Sequence, residues 1–255
     1  PCSGKTTIIN KLKYHYEAFG YYVAVMPECA RQVIQNGVSR RDMYAFETEV
    51  IRCQLEFENR VDEEISNCKA DKVIAIYDRG IADAFSYVTE NQAEEIKNQL
   101  NLDLISVWSR YDAVIMLEAA NPEYYTKDNE RLESYEDVLE AQSRLLDVWV
   151  GHPHLRYIKS CDIFEQKLEN VIREFDCLLS NIEHEVKYLI EYPNFDELKK
   201  YRPFKTDIEQ IYLLSDTGSH RIRKRGSGES YCFFENLKLR ISGDKCHEFE
   251  SIISK

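Results

Sequence analysis

The sequence predicts an α/β chain: a doubly wound parallel sheet whose first strand is missing, followed by an α+β part built on antiparallel strands. Three observations predict it. Gly4-Lys5-Thr6 stands directly before a helical stretch, as a phosphate-cradling loop does. Short apolar runs then alternate with helical ones as far as about residue 180, the pattern of a parallel sheet with crossover helices. Beyond that point apolar and charged residues alternate at period two, the pattern of half-buried strands.

Pro1-Cys2-Ser3-Gly4-Lys5-Thr6-Thr7-Ile8 carries the end of G-x-x-x-x-G-K-[ST], the P-loop. Glycine lets the backbone N–H groups come close enough to wrap phosphates. Lys5 reaches the β- and γ-phosphates, and the Thr6 hydroxyl can hold Mg²⁺. The helix after the loop turns its N-terminal N–H groups and its dipole toward the anion. Thr7 to Phe19 reads as that helix, with Gly20 at its stop. Ser3, Gly4, Lys5, Thr6 and Thr7 are the expected nucleotide contacts. The motif's first glycine and the strand feeding the loop would precede Pro1, so the sequence reads as one that starts inside the motif. Gly-Lys-Thr also arises by chance, and the downstream pattern has to decide.

Tyr21 to Met26 reads as a strand buried on both faces. Pro27-Glu28-Cys29-Ala30-Arg31 follows its C-terminal end, where ligands sit in open α/β sheets. Glu28 is either a general base for an acceptor hydroxyl or a helix-terminal carboxylate, and Arg31 one turn on can pair with it. Asp42 to Lys69 predicts a long helix. Lys72 to Tyr77 predicts a second buried strand, ending in Asp78-Arg79-Gly80. An apolar strand ending in Asp after a P-loop is the Walker B pattern, so Asp78 joins Thr6 as a metal ligand. Arg79 would clamp a phosphate or carboxylate. Asp83 and Tyr87 share a helix face, either toward the acceptor or toward solvent.

Thr89 to Tyr111 is expected to be mostly helical, with Trp108 in the core. Asp112 to Leu117 is a third strand. The polar stretch Glu118 to Glu133, with Lys127 and Arg131 among Tyr124, Tyr125 and Asp128, reads either as a lid over the transferred phosphoryl group or as an exposed loop with ordinary salt bridges. Arg131 there would stabilise charge in the transition state. A helix over 134–150 and a strand at Leu155 to Ile158 follow. Lys159-Ser160-Cys161 would lie near a nucleotide base, and Asp162 or Ser160 would cap a helix running to about Ser180.

The set Pro1 to Thr7, Pro27-Glu28-Cys29-Ala30-Arg31, Asp78-Arg79-Gly80-Ile81-Ala82-Asp83 and Arg131 resembles the P-loop AAA-type domain shared by nicotinamide riboside kinases and the insect photoreceptor TRPL translocation-defect protein. The resemblance covers about residues 1–180. It implies nucleotide binding, with phosphoryl transfer to a small acceptor or a GTP-dependent trafficking role.

From residue 181 the chain reads as a second domain. Glu183, Glu185 and Lys187 share one strand face. Arg221, Arg223 and Arg225 share another, and Glu248 and Glu250 alternate with Phe249. Several strands carrying inward acid or base suit a tunnel for metal-bound polyphosphate. Glu183-His184-Glu185-Val186-Lys187, with Glu209-Gln210-Ile211-Tyr212-Leu213 and Arg221-Ile222-Arg223, resembles the CYTH family, the triphosphate tunnel metalloenzymes. That resemblance implies an antiparallel barrel, of which residues 181–255 would be the N-terminal half. It implies Glu183, Glu185, Lys187, Arg221, Arg223, Lys238, Glu248 and Glu250 as polyphosphate and metal contacts. Cys246 stands where the family tends to have arginine, and a half barrel would leave a strand edge open.

A net charge of -12, carried mainly by the first 180 residues, argues against a nucleic-acid surface. The cysteines at 2, 29, 53, 68, 161, 177, 232 and 246 form no C-x-x-C pair and suit a reducing cytoplasm. No apolar run is long enough to span a membrane. Two functions fit the residues. One is an enzyme using ATP or GTP with Mg²⁺ (or Mn²⁺) to phosphorylate a small hydroxyl-bearing or phosphate-bearing substrate. The other is a GTP-binding switch whose CYTH part binds a phosphorylated ligand or an anionic lipid, with peripheral membrane contact.

Overall fold

The computed structural model describes residues 3–124, 134–180, 182–184, 189–198, 206–216, 218–227, 230–243 and 245–253. Helix α1 spans Lys5–Ala18 and buries Ile8, Ile9, Leu12 and Tyr16, the stripe that a period of 3.6 puts on one side. Strand β1 (Tyr22–Met26) pairs in parallel with β2 (Val73–Tyr77), with Tyr22 opposite Val73 and Met26 opposite Tyr77. Between them lie α2 (Cys29–Gln35) and α3 (Met43–Asn67). The long helix predicted from Asp42 starts there because the Asp42 carboxylate accepts from the Ala45 amide at 3.1 Å.

Helix α4 (Ile81–Phe85) follows β2 directly. The region Thr89 to Tyr111 is mostly helical, as expected, in two helices, α5 (Glu90–Leu100) and α6 (Leu104–Trp108). The break comes at Asn101, which is left-handed at φ 52°, and at Asp103, whose side chain caps the second helix. Trp108 lies in the core, as expected, with its indole N–H on the Val148 carbonyl at 3.2 Å. Strand β3 (Val114–Leu117) pairs in parallel with β4 (Leu155–Ile158). Helix α7 (Tyr135–Trp149) lies between these strands in the chain, and α8 (Phe164–Ser180) follows them. Asp162, expected as a cap of α8, accepts from the Asn121 side-chain Nδ2 at 2.8 Å.

Among the described residues the parallel strands form two separate pairs rather than one continuous sheet. Between β2 and β3 runs a cleft of about 240 Å³. Its walls include Ala75, Ile76, Ile115 and Met116 from the strands and Leu12, Val171 and Trp149 from the helices.

The rest is antiparallel. Strands β5 (Ile182–His184), β6 (Asp207–Leu213), β7 (Ser219–Ser227), β8 (Ser230–Ser242) and β9 (Lys245–Ile253) form one sheet in the order β5-β9-β8-β7-β6, and α9 (Phe195–Leu198) precedes β6. Among the described residues this sheet is open and no closed barrel forms; residues 181–255 were expected as half of a barrel, with a strand edge left open. β6 is an edge strand exposed along its whole length, with Ile208, Ile211 and Tyr212 open to solvent. The opposite situation holds in β8. Cys232 and Phe234 are buried in one apolar cluster with Ile81, Trp108 and Trp149, so the antiparallel sheet packs on the helices that follow β2.

Candidate nucleotide site

The candidate site starts at the N-terminus of α1. Gly4 precedes the helix with φ 78° and ψ 12°, the left-handed region. A Cβ at this position would stand 2.8 Å from Phe164 Cε2, so both backbone conformation and space require glycine. The Ile8 amide donates to the Gly4 carbonyl at 3.0 Å as the helix begins. The N–H groups of Lys5, Thr6 and Thr7 then precede any carbonyl of their own helix and face its open end. Thr6 and Thr7 are exposed there.

The loop is held from beneath by Lys167 on α8. Its ammonium is buried and donates to the Ser3 carbonyl at 3.0 Å and to the Glu118 carbonyl at 2.6 Å. Burial lowers its pKa from the ordinary lysine value. One side chain thus ties the phosphate loop to the end of β3. Sequence reasoning missed Lys167. The available signal was a lysine within the apolar stripe of α8, between Phe164 and Val171.

Asp78 extends β2 by one residue, its amide donating to the Met26 carbonyl at 3.3 Å. This brings its carboxylate against the Lys5 ammonium, pairing the two groups that the P-loop and Walker B patterns had singled out. Asp78 Oδ1 is buried, and it is the oxygen that meets the Lys5 ammonium. The Asp78 carboxylate and the exposed Thr6 hydroxyl are oxygen donors of the kind that suit Mg²⁺. Desolvation, followed by the nearby Arg79 charge, lowers the Lys5 pKa to about 8.

Behind this pair lies a cluster at the strand ends. Arg79 Nε stands 3.7 Å from Glu28 Oε1, and its Nη1 donates to Asp83 Oδ2 at 3.2 Å. The Trp149 indole N–H donates to Asp83 Oδ1 at 2.6 Å. Desolvation works against the Arg79 charge, but Asp83, Tyr87 and Glu28 outweigh it and hold the guanidinium more firmly protonated than usual. Glu28 precedes α2 without capping it, and its carboxylate lies toward Arg79. Glu47 on α3 was not anticipated. It is 6% exposed, and desolvation raises its carboxyl to about 7 within the field of Arg79 and Asp83. Glu47 occupies a helix interior where an acidic residue reads as solvated, so only the packing exposes it.

Lys127 and Arg131, expected on the lid, lie outside the described residues, as do Tyr125 and Asp128. At the start of that stretch, Glu118 accepts from the Ser160 amide at 2.6 Å and from the Tyr157 hydroxyl at 3.0 Å. Ser160, expected near a base, is therefore fixed to the end of β3.

In the antiparallel sheet, Glu185 and Lys187 lie outside the described residues, and Glu183 is described only by its backbone, paired with Cys246. Strand register sets Arg221 opposite Asn236, Arg223 opposite Phe234 and Lys238 opposite Glu248. Glu248 lies 3.8 Å from Arg221 and 3.6 Å from Lys238. Buried Asn236 donates to Glu248 and, at 2.9 Å, to Glu250. Arg223 reaches Gln210 on β6. The expected acid and base residues of β7, β8 and β9 do share a face. At its β8 end, at Cys232 and Phe234, that face is covered by the helical part. Among the described residues no group of three or more acidic, histidine or cysteine side chains is placed to hold a metal.

No helix among the described residues is long and apolar enough to cross a membrane. A search of curated proteins finds no match. Residues 1–166 match the family described as AAA domain. The match begins at the loop and ends inside α8, and so spans every element that brings Lys5 to Asp78. The chain belongs to this AAA domain family, and its first part is a P-loop nucleotide-binding domain.

Proposed function

We propose that the chain binds ATP or GTP with Mg²⁺ at Ser3 to Thr7 and transfers the γ-phosphoryl group to a small hydroxyl-bearing acceptor at Glu28, Arg79 and Asp83. The observation that carries this reading is the meeting of Lys5 and Asp78 at the open end of α1. The helix N–H groups and the Lys5 ammonium take the phosphate oxygens. Thr6 and Asp78 would hold Mg²⁺, which neutralises charge shared by the β- and γ-phosphates. Arg79 orients the acceptor by charge, and Glu28 takes the proton of its attacking hydroxyl. Arg131, expected on the lid, is proposed to stabilise charge on the transferred group. The resemblance to nicotinamide riboside kinases supports a small acceptor of this kind. Residues 181–255 form a second, CYTH-like unit in this proposal, binding a phosphate-bearing ligand through Arg221, Arg223 and Lys238.

The test is a phosphoryl-transfer screen with labelled ATP and GTP over small hydroxyl-bearing metabolites. The expected result is consumption of one nucleotide that rises steeply with one acceptor. Tight nucleotide binding without turnover on any acceptor would instead support a GTP-binding switch. Lys5→Ala is expected to abolish nucleotide binding in a titration, and retained affinity in that variant would overturn the site.

A further inference from the structure

The turn that carries Asp78 and Arg79 is clamped from below by a buried network centred on Glu58. Glu58 lies midway along α3 and is 1% exposed. Its Oε1 accepts from the Tyr111 hydroxyl at 2.6 Å and from Gln54 Nε2 at 2.9 Å. Its Oε2 accepts from Arg110 Nε. Both partners on Oε1 also reach the backbone of the turn. Gln54 Nε2 donates its second proton to the Arg79 carbonyl at 2.8 Å, and the Ile81 amide donates to the Tyr111 hydroxyl oxygen at 2.8 Å.

The proton directions are fixed by this chemistry. The Tyr111 oxygen is occupied by the Ile81 N–H, so its single proton must go to Glu58. Both neighbours of Gln54 Nε2 are acceptors, so the amide orientation is set as well. Glu58 is therefore an acceptor from both sides, and Arg110 balances its charge. Gly80, between the two anchored residues, fits against aromatic rings: a Cβ there would stand 2.6 Å from Trp149 and 3.3 Å from Tyr111.

A buried ionic network is a costly way to join α3 to α4, because desolvation offsets most of its attraction and apolar packing would hold the helices as well. What such a network supplies is direction. We propose that Glu58 is a positioning residue for the nucleotide site: through Gln54 and Tyr111 it fixes the turn from Asp78 to Ile81, and with it the stance of the Asp78 carboxylate toward Mg²⁺. The inference rests on the reading of Thr6 and Asp78 as the Mg²⁺ ligands.

The test compares ATP and GTP affinity of the full chain with Mg²⁺ and with EDTA. In the wild type Mg²⁺ should tighten binding of one nucleotide. Glu58→Gln and Tyr111→Phe should shrink that gain about tenfold, the usual scale for residues behind a metal ligand, while leaving Mg²⁺-free affinity within about twofold. Tyr16→Phe is the control. It removes a buried hydroxyl bonded to Asp176 at 2.9 Å, away from the turn, and should lower Tm without changing the gain. Tyr111→Phe should also speed hydrogen exchange at the Ile81 amide, a readout that needs no nucleotide. If Glu58→Gln does not fold, Tyr111→Phe carries the test. A wild type with no Mg²⁺ gain for either nucleotide would overturn the metal reading and this inference with it. A wild-type gain kept intact in the folded variants would overturn the inference alone, and so would a fall in Tm with no change in the gain.

Discussion

In the proposed function Lys5 takes the phosphate oxygens, and its surroundings make a pH prediction. With burial lowering its pKa to about 8, the ammonium is charged at pH 7 and loses its proton as pH rises through that value. Bound phosphate favours the charged form and raises the pKa again, so binding takes up a proton in alkaline solution. Nucleotide affinity should therefore fall above pH 8, by at most about tenfold per pH unit. Titrations between pH 7 and 9.5 check this, and an affinity flat across that range would contradict it. Glu28 and Arg79 were readable as neighbours of the strand ends. Their mutual pairing was not, because Glu28 and Arg79 follow different strands and meet only when β1 and β2 align in parallel.

At the scale of elements, local chemistry in the sequence set most boundaries. Helix α7 illustrates it. Ser134 accepts from the Asp137 amide at 3.1 Å while Asp137 accepts from the Ser134 amide at 2.8 Å, a reciprocal cap. The helix this cap starts ends at Trp149, which holds Asp83. Ser134→Ala should cost about 1 kcal/mol of stability in a denaturant titration, with nucleotide affinity little changed. A loss well above that scale would mean that the cap also supports the site. The parallel strands were legible from their apolar runs. Their separation into two pairs was not, since an apolar run carries no information about which edge a partner occupies.

At the scale of the whole molecule, the two parts share an apolar cluster. Phe234 on β8 is 1% exposed and belongs to the cluster that holds both tryptophans of the chain. Arg225 adds a hydrogen bond to the Val150 carbonyl at 3.0 Å. Phe234→Ala should cost about 3–5 kcal/mol, as large buried side chains do. Because Trp108 and Trp149 lie beside it, the loss should appear in the tryptophan fluorescence transition as well as in circular dichroism. A variant whose fluorescence transition stays at the wild-type midpoint would show that the sheet does not support the helical part.

The sequence by itself determined the nucleotide loop, the strand-end aspartate and the change from parallel to antiparallel patterning, because each depends on residues close together along the chain. Gly4 needs its left-handed turn, Asp78 its apolar strand, and β8 its alternation. Only the tertiary structure decided that Lys167 supports the loop, that Glu58 clamps the turn, and that the charged face of the antiparallel sheet ends against the helical part. These contacts join residues far apart in the chain. They depend on where helices cross and which sheet face is covered, and a period of 2 or 3.6 residues specifies neither.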